Sequence, residues 1–498
     1  MNLLTTPTKG EDLISRPRDL YIDGAWVAPS SDATLKVYSP HTEEVFLEVA
    51  EAREADVNRA VDAARRAFDQ GPWRKLSPKD RATYLRKLGD GLALRAKDQA
   101  EIWPNEMGAL HSVAQAMLTG ISAGYHKYAD MADTFAFEEL RTPDQPGITG
   151  IVTREPVGVV AAIVPWNVPA FLIAHKLAPA LLAGCTVIIK ASPEAPGMAY
   201  VLAEVAEEVG IPRGVVNILT ADREVSELLV RHPGVDKVSF TGSSAAGKRI
   251  ASIMGERIGR YTLELGGKSA AIILDDYDLD TAAQSIAGSA CFLSGQVCAS
   301  LTRILVPEHR HDAFVNALVH HFGAKRTGDP FDPETELGPV AMRRQRDRIE
   351  GLIARGVDEG ATLALGGSRP KNLNRGFYIA PTVFANVDNS TTIAREEIFG
   401  PVLSVIPTRG EDHAIEIAND TVYGLNNSVF TNDLEKAYTI GRELRSGTVG
   451  HNGFRADMNV GFGGFKQSGI GREGNVEGLS AYLEQKSLLL DGVPAHLS

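Results

Sequence analysis

At 498 residues, with 44% hydrophobic and 23% charged side chains, the chain has a globular composition and is too long for one core, which predicts two or three domains. A formal net charge of −12 argues against a nucleic-acid-binding protein, and no apolar run reaches membrane-spanning length. Cys185, Cys291 and Cys298 lack metal-ligand spacing and the start lacks a signal peptide's apolar segment, so the expectation is a cytoplasmic protein in a reducing compartment, with no metal.

Residues 1–20 are polar and read as a loose arm. LYIDGAWV and KVYSP read as short strands, the former folded around an Asp23-Gly24 turn. Val57, Val61, Ala64 and Phe68 recur at helical spacing and predict an amphipathic helix over 56–70, with further helices to about residue 135. From 157 to 274, short apolar runs (VGVVAAIV, TVIIK, VVNIL, KVSF, YTLEL, SAAIIL) alternate for the most part with helical stretches. That rhythm predicts a parallel sheet with helices on both faces, whose ligands bind beyond the carboxyl ends of the strands. A second α/β region over about 266–465 has strands in TRILVP, FYIAPTVFANV and VLSVIP, and EGLSAYLEQKSLLL ends in a strand. His309, His311, His320 and His321 read as surface residues, and Cys185 and Cys291 as packing.

Several stretches could carry chemistry. In GSACFLSGQVCASLTR the helical pattern breaks at Ser294-Gly295, leaving Cys298 on a glycine-permitted turn. It is either an acyl-transfer nucleophile with backbone N–H groups aimed at its substrate, or a small buried hydrophobe. SFTGSS opens a helix, so Gly242 and Ser243 form either an anion site for a pyrophosphate or an ordinary N-cap. No G-x-G-x-x-G fingerprint follows any of these strands. Lys190 ends TVIIK, and Asn167 in PWNVP could aim its amide at an oxyanion. Glu264, before two glycines, is a candidate general base with a raised pKa.

Together PWNVP, Lys190, FTGSS, LELGGKSA, GQVC, EEIFGPV, YGLNNSVFT, SGTV and FGGFKQSGIGRE resemble the aldehyde dehydrogenase superfamily, over about residues 20–485. The resemblance implies oxidation of an aldehyde to a carboxylic acid with hydride transfer to NAD, NADP being possible. It implies Cys298 as nucleophile, Asn167 as oxyanion donor and Glu264 as the base that hydrolyses a thioester; a free thiol needs a lowered pKa or a nearby base. Because Glu264 is present, hydrolytic release is favoured over acyl transfer to coenzyme A. A catalytically silent binding protein and a thiol hydrolase are the other rivals.

The cofactor residues implied are Pro165, Trp166, Lys190, Glu194, Gly242, Ser243, Leu265, Gln345, Glu397 and Phe399. Two departures bear on them. The family's second glycine turn is here ADREVS, and its usual glutamate after the strand-end lysine is Pro193, with Glu194 one residue later, which leaves NAD against NADP open. Val168, Leu172, His175, Phe292, Val297, Phe454 and Phe462 would line a mostly apolar substrate tunnel. That suits a medium-sized aliphatic, terpenoid or aromatic aldehyde; the alternative is a semialdehyde whose carboxylate meets Arg455 and His175.

The expected fold is α/β: a Rossmann-like parallel-sheet cofactor domain (1–130 and 153–263), an α/β catalytic domain (264–463), and a small β bridging region (131–152 and 464–498). An open edge in that bridging region predicts a homodimer or homotetramer.

Overall fold

The strands Val159–Ile163, Thr186–Ala191, Val216–Thr220 and Lys237–Thr241 are buried at every position, as strands covered on both faces must be. They form the parallel centre of an eight-stranded sheet in the computed structural model, which describes residues 9–497. The order across that sheet is Gly469–Ile470, Arg260–Glu264, Lys237–Thr241, Val159–Ile163, Thr186–Ala191, Val216–Thr220, Leu20–Ile22, Ala25–Val27. Register brings several strand ends level. Ile163 pairs with Lys190 and with Phe240, and Thr241 pairs with Glu264, so four strand ends reach one carboxyl edge.

A second, seven-stranded sheet runs Thr362–Leu365, Thr382–Ala385, Val402–Thr408, Leu301–Pro307, Ser269–Ile273, Asn426–Phe430, Thr448–His451, all neighbours being parallel except the first pair. The chain first crosses between the sheets through the four residues 265–268: Glu264 closes a strand of the first sheet, and Ser269 opens one of the second. The site lies at this crossing. A third sheet joins Glu138–Arg141, Thr149–Pro156 and Leu483–Leu490, the last pairing at all eight residues with Thr149–Pro156. Its outer strand exposes Leu488, Leu489 and Leu490.

The hairpin around Asp23 and Gly24 is left-handed at both residues (φ 55° and 69°), as a two-residue turn needs. The helix expected over 56–70 spans Glu54–Asp69 and buries Val57, Ala60, Val61 and Ala64. Other expectations need correction. Of the supposed loose arm, residues 1–8 lie outside the described residues. The rest is docked: Ile14 is buried, and Ser15 donates to Glu204 through its N–H (2.6 Å) and its hydroxyl (2.8 Å). Residues 469–470 do not join the bridging sheet but extend the edge of the first. The strand in FYIAPTVFANV begins only after Pro381, which has no N–H to give a ladder. His311 is buried, not at the surface, because its Nε2 accepts the Asn386 N–H at 3.2 Å. Among the described residues no helix is long and apolar enough to cross a membrane.

Candidate active site

The helix Leu279–Cys291 stops three residues earlier than the hydrophobic pattern suggests, and Leu293, Ser294 and Gly295 then all take left-handed backbone (φ 49°, 56° and 72°). Two of the three are not glycine, so the turn is strained and must be held from outside. Ser294 Oγ donates to Gly338 O at 2.8 Å, and the fully buried Gln296 accepts the Ala341 N–H at 2.8 Å. A side chain on Gly295 would meet Gly400 O at 2.3 Å. Cys298 emerges from this clamp half-buried, at the wall of a cavity of about 680 Å³.

The two glycines of LELGGKSA have distinct reasons to be there. A Cβ on Gly266 would strike Glu397 Oε2 at 2.3 Å, and one on Gly267 would strike Cys298 O at 2.3 Å. The Gly267 N–H instead donates to Glu397 Oε1 at 3.1 Å. The crossing thus brings the Glu264 strand end, the Cys298 turn and Glu397 into contact distance. Ser468 ties the rest of the motif down: its carbonyl accepts the Leu265 N–H (2.9 Å) and its hydroxyl donates to Gly266 O (2.7 Å).

Asn167 is buried after the strand Val159–Ile163, its carbonyl accepting Trp103 Nε1–H at 2.9 Å. Its amide nitrogen gives one hydrogen to Gln296 O at 3.0 Å, which leaves the second hydrogen uncommitted on a residue that lines the cavity with Cys298. Glu264 is 3% exposed and neither carboxylate oxygen has a hydrogen-bond partner. Burial, reinforced by Glu473, pushes its carboxyl well above the usual range, while Lys176 and Arg472 oppose the shift. The Cys298 thiol is pushed up to about 12, by burial first and then by Glu397 and Glu264. The site thus does not lower the thiol's pKa, and the buried Glu264 carboxylate lies on the same cavity.

All seven tunnel residues named from the sequence (Val168, Leu172, His175, Phe292, Val297, Phe454 and Phe462) line this cavity. So do Pro165, Trp166, Gly242, Ser243, Leu265, Gln345, Glu397 and Phe399. Ser243 is also the N-cap of Ser244–Glu256, accepting the Ala246 N–H at 3.3 Å, so its two readings are compatible. Thr241 Oγ1, buried and without a partner, adds a free donor at the same helix N-terminus. Trp166 and Phe399 meet edge to face, centroids 5.4 Å apart. Gln345 donates to the carbonyls of Ile398 (3.0 Å) and Phe399 (2.9 Å), so it braces the Glu397 loop. Burial raises Glu397 to about 7.

Lys190 and Glu194 do not line that cavity. Lys190 is buried at the strand end, its ammonium 3.4 Å from Ala221 O, and burial lowers it to about 8. Glu194 borders a second cavity of about 600 Å³. Arg455 is exposed and lines neither cavity. Sequence reasoning misses Lys176 and Glu473, which form a buried ion pair behind Glu264. The available signal is Lys176 itself, a cation beside His175 inside the largely apolar FLIAHKLAPALLA.

A thiol, an amide donor and a buried carboxylate on one cavity, next to a helix N-terminus on a parallel sheet, are chemically able to support covalent catalysis beside a dinucleotide. A sequence profile described as the aldehyde dehydrogenase family matches residues 26–488, and the chain belongs to that family. It is 44% identical over 474 residues to a geranial dehydrogenase of Castellaniella defragrans, covering 95% of this chain and 98% of the relative. A Mycobacterium tuberculosis aldehyde dehydrogenase complexed with NAD+ superimposes with TM-score 0.93 at 45% identity, covering 96% of this chain and 99% of that one. A Pseudomonas syringae aldehyde dehydrogenase mutant in complex with NAD+ and octanal gives TM-score 0.92 at 39% identity, over 96% and 98% of the two chains.

Proposed function

We propose that this chain is an NAD-dependent aldehyde dehydrogenase that oxidises a medium-sized apolar aldehyde to its acid and releases it by hydrolysis. The observation that carries this is the meeting of Cys298, the free Asn167 N–H and the unpartnered Glu264 carboxylate on one cavity. The residues present fit NAD: the Ser243 helix N-terminus and Thr241 for the pyrophosphate, Lys190 and Glu194 for the adenosine ribose, and Glu397 for the nicotinamide ribose, with Pro165, Trp166, Leu265, Gln345 and Phe399 shaping the cleft. NAD supplies the hydride acceptor, making the net reaction aldehyde, water and NAD+ to carboxylate, reduced cofactor and two protons.

Glu264 in its ionised form takes the Cys298 proton, directly or through one water, and the sulfur adds to the carbonyl carbon. Asn167 Nδ2–H and the Cys298 N–H hold the resulting oxyanion. Once the thiohemiacetal carbon has lost its hydride, Cys298 carries a thioester. Glu264 first passes the Cys298 proton to solvent and, ionised again, draws a proton from water; the hydroxide adds to the acyl carbon, and the C–S bond breaks to free the acid and the thiolate of Cys298. The tunnel supports an apolar substrate because His175 is kept neutral by burial, its Nδ1 lying 2.9 Å from Phe171 O, and Arg455 is outside the cavity. The geranial and octanal of the two relatives are of the same apolar kind.

We read the eight-stranded sheet as the cofactor domain, the seven-stranded sheet as the catalytic domain and the three-stranded sheet as the oligomerisation element of a dimer or tetramer. Exposed Leu140 and Leu489 and the unpaired outer strands support this, and a cytoplasmic location suits three free cysteines. Initial rates at the reduced-nicotinamide band, across aliphatic and terpenoid aldehydes and succinic semialdehyde, test the reaction. Apolar aldehydes should win, and Cys298→Ala should abolish turnover. Turnover that survives in Cys298→Ala refutes the mechanism, and a preference for the semialdehyde refutes the substrate class. Light scattering that finds a monomer at micromolar concentration refutes the assembly.

A further inference from the structure

The helix Pro169–Ala183 gives Phe171, Leu172 and His175 to the tunnel wall, positions that share one helix face. His175 is 7% exposed, and its ring lies against that of Phe171 with centroids 4.2 Å apart. Its Nδ1 is 2.9 Å from the Phe171 carbonyl, which can only accept, so the ring proton sits on Nδ1. Burial lowers the imidazole's pKa and keeps the ring neutral. A neutral ring protonated on Nδ1 carries a lone pair on Nε2 and can only accept there.

Among the described residues no N–H or O–H group meets that lone pair. The two cations whose charge reaches the ring, Lys176 and Lys127, are committed to Glu473 and to Asn459 Oδ1 (2.8 Å). Opposite the imidazole stands Gly124 of the helix His111–Thr134, where a Cβ would lie 4.0 Å from His175 Cε1. Glycine inside a helix is destabilising relative to alanine, and the space it leaves at Gly124 lies beside the ring. Met117, Phe171, Leu172, Phe292 and Phe454 make the surrounding wall apolar. One acceptor in an apolar wall is a recognition element for a neutral donor.

We propose that the substrate is an apolar aldehyde bearing a hydroxyl group distant from its carbonyl, and that His175 Nε2 accepts the hydrogen of that hydroxyl. His175 lies six positions after Pro169, which opens the helix next to Asn167, so the acceptor is roughly 9 Å along the helix axis from the oxyanion donor's end. The hydroxyl therefore belongs at the far end of a medium-length chain. An ether oxygen or a carboxylate offers only lone pairs to Nε2 and gains nothing there. An ammonium could donate, but it has to shed its water in an apolar tunnel that Lys127 also borders. This rests on the aldehyde-oxidising reading above and narrows its substrate class.

The test compares kcat/KM for a homologous series of ω-hydroxyalkanals with the parent alkanals and the ω-methoxyalkanals, backed by calorimetric binding of the same aldehydes to Cys298→Ala. At the chain length that reaches His175, the hydroxyalkanal should exceed both partners by about tenfold in kcat/KM and in affinity. His175→Phe keeps a ring against Phe171 and removes the acceptor, so it should bring that ratio to about one, while His175→Gln, whose amide oxygen accepts, should recover part of it. The ratio is read within each variant, so a general loss of activity or stability does not mask it. A hydroxyl preference absent at every chain length, one that persists in His175→Phe, or faster turnover of ω-aminoalkanals overturns the proposal. Selective binding of the hydroxyalkanal without oxidation of any aldehyde would sink the enzymatic reading alone.

Discussion

Lys176 and Glu473, 297 positions apart, form an ion pair with 0% and 3% side-chain exposure, and Glu473 acts electrostatically on Glu264. The helix Pro169–Ala183 supplies the cation and the loop after Gly469–Ile470 the anion, so the pair fastens that loop to the first sheet's helical layer. Breaking one partner strands a buried charge. Lys176→Met should lose about 3–5 kcal/mol of stability in urea unfolding, and the double change with Glu473→Gln should recover most of it. A single variant as stable as the parent would show that the pair contributes nothing.

The pH profile follows from the signs of two shifts. Glu264 works as a base only when ionised, and its carboxyl is raised, so the active fraction grows as pH rises. Cys298, at about 12, adds a second reason for the rate to climb. We expect kcat/KM to keep increasing as pH rises from neutral into the alkaline range, and Glu264→Gln to lower it by about 10²–10⁴ and flatten the slope. A flat profile across the neutral range in the unaltered enzyme contradicts both assignments.

Asn167 has one N–H fixed on Gln296 and one free. Asn167→Ala should reduce kcat by about 10²–10³ with little change in KM, the pattern of a donor used in the transition state. Because that residue also braces the Cys298 turn, the melting temperature should be followed in parallel. A KM effect alone assigns Asn167 to binding.

Tunnel width is set in part by what is missing from the helix His111–Thr134. Gly120 and Gly124 both line the cavity; a Cβ on Gly120 meets nothing within 4 Å, and one on Gly124 only grazes Ala174 and His175 at 4.0 Å. Gly124→Leu should therefore fold and intrude on the tunnel. KM for a branched terpenoid aldehyde should rise by about tenfold while propanal is unaffected, since pocket volume limits only the larger substrate. Parallel losses for both aldehydes would mean the helix itself had shifted.

The strands are legible because burial on both faces leaves uninterrupted runs such as TVIIK, and the three candidate residues because each lies at or shortly past the end of a strand or helix. Glu264 can be named as a base from its strand end. What decides its ionisation cannot be read there: Glu473 and Lys176 come from elements with no local relation to YTLEL. The Cys298 turn begins earlier than the pattern predicts because Leu293 and Ser294 are ordinary helix residues by composition, and tertiary bonds to Gly338 and Ala341 force them left-handed. His311 reads as surface because its hydrogen-bond partner, Asn386, lies 75 positions on.

The raised Cys298 thiol also bears on the enzyme's durability between turnovers. Peroxides and alkylating agents attack thiolates, and a sulfur at about 12 is almost wholly protonated in a cell. A Cys298 nucleophile of the kind proposed above would therefore rest in its less oxidisable form, and the neighbouring carboxylate would activate it when a carbonyl arrives. An enzyme that handles electrophiles for a living gains a long working life from a nucleophile that idles.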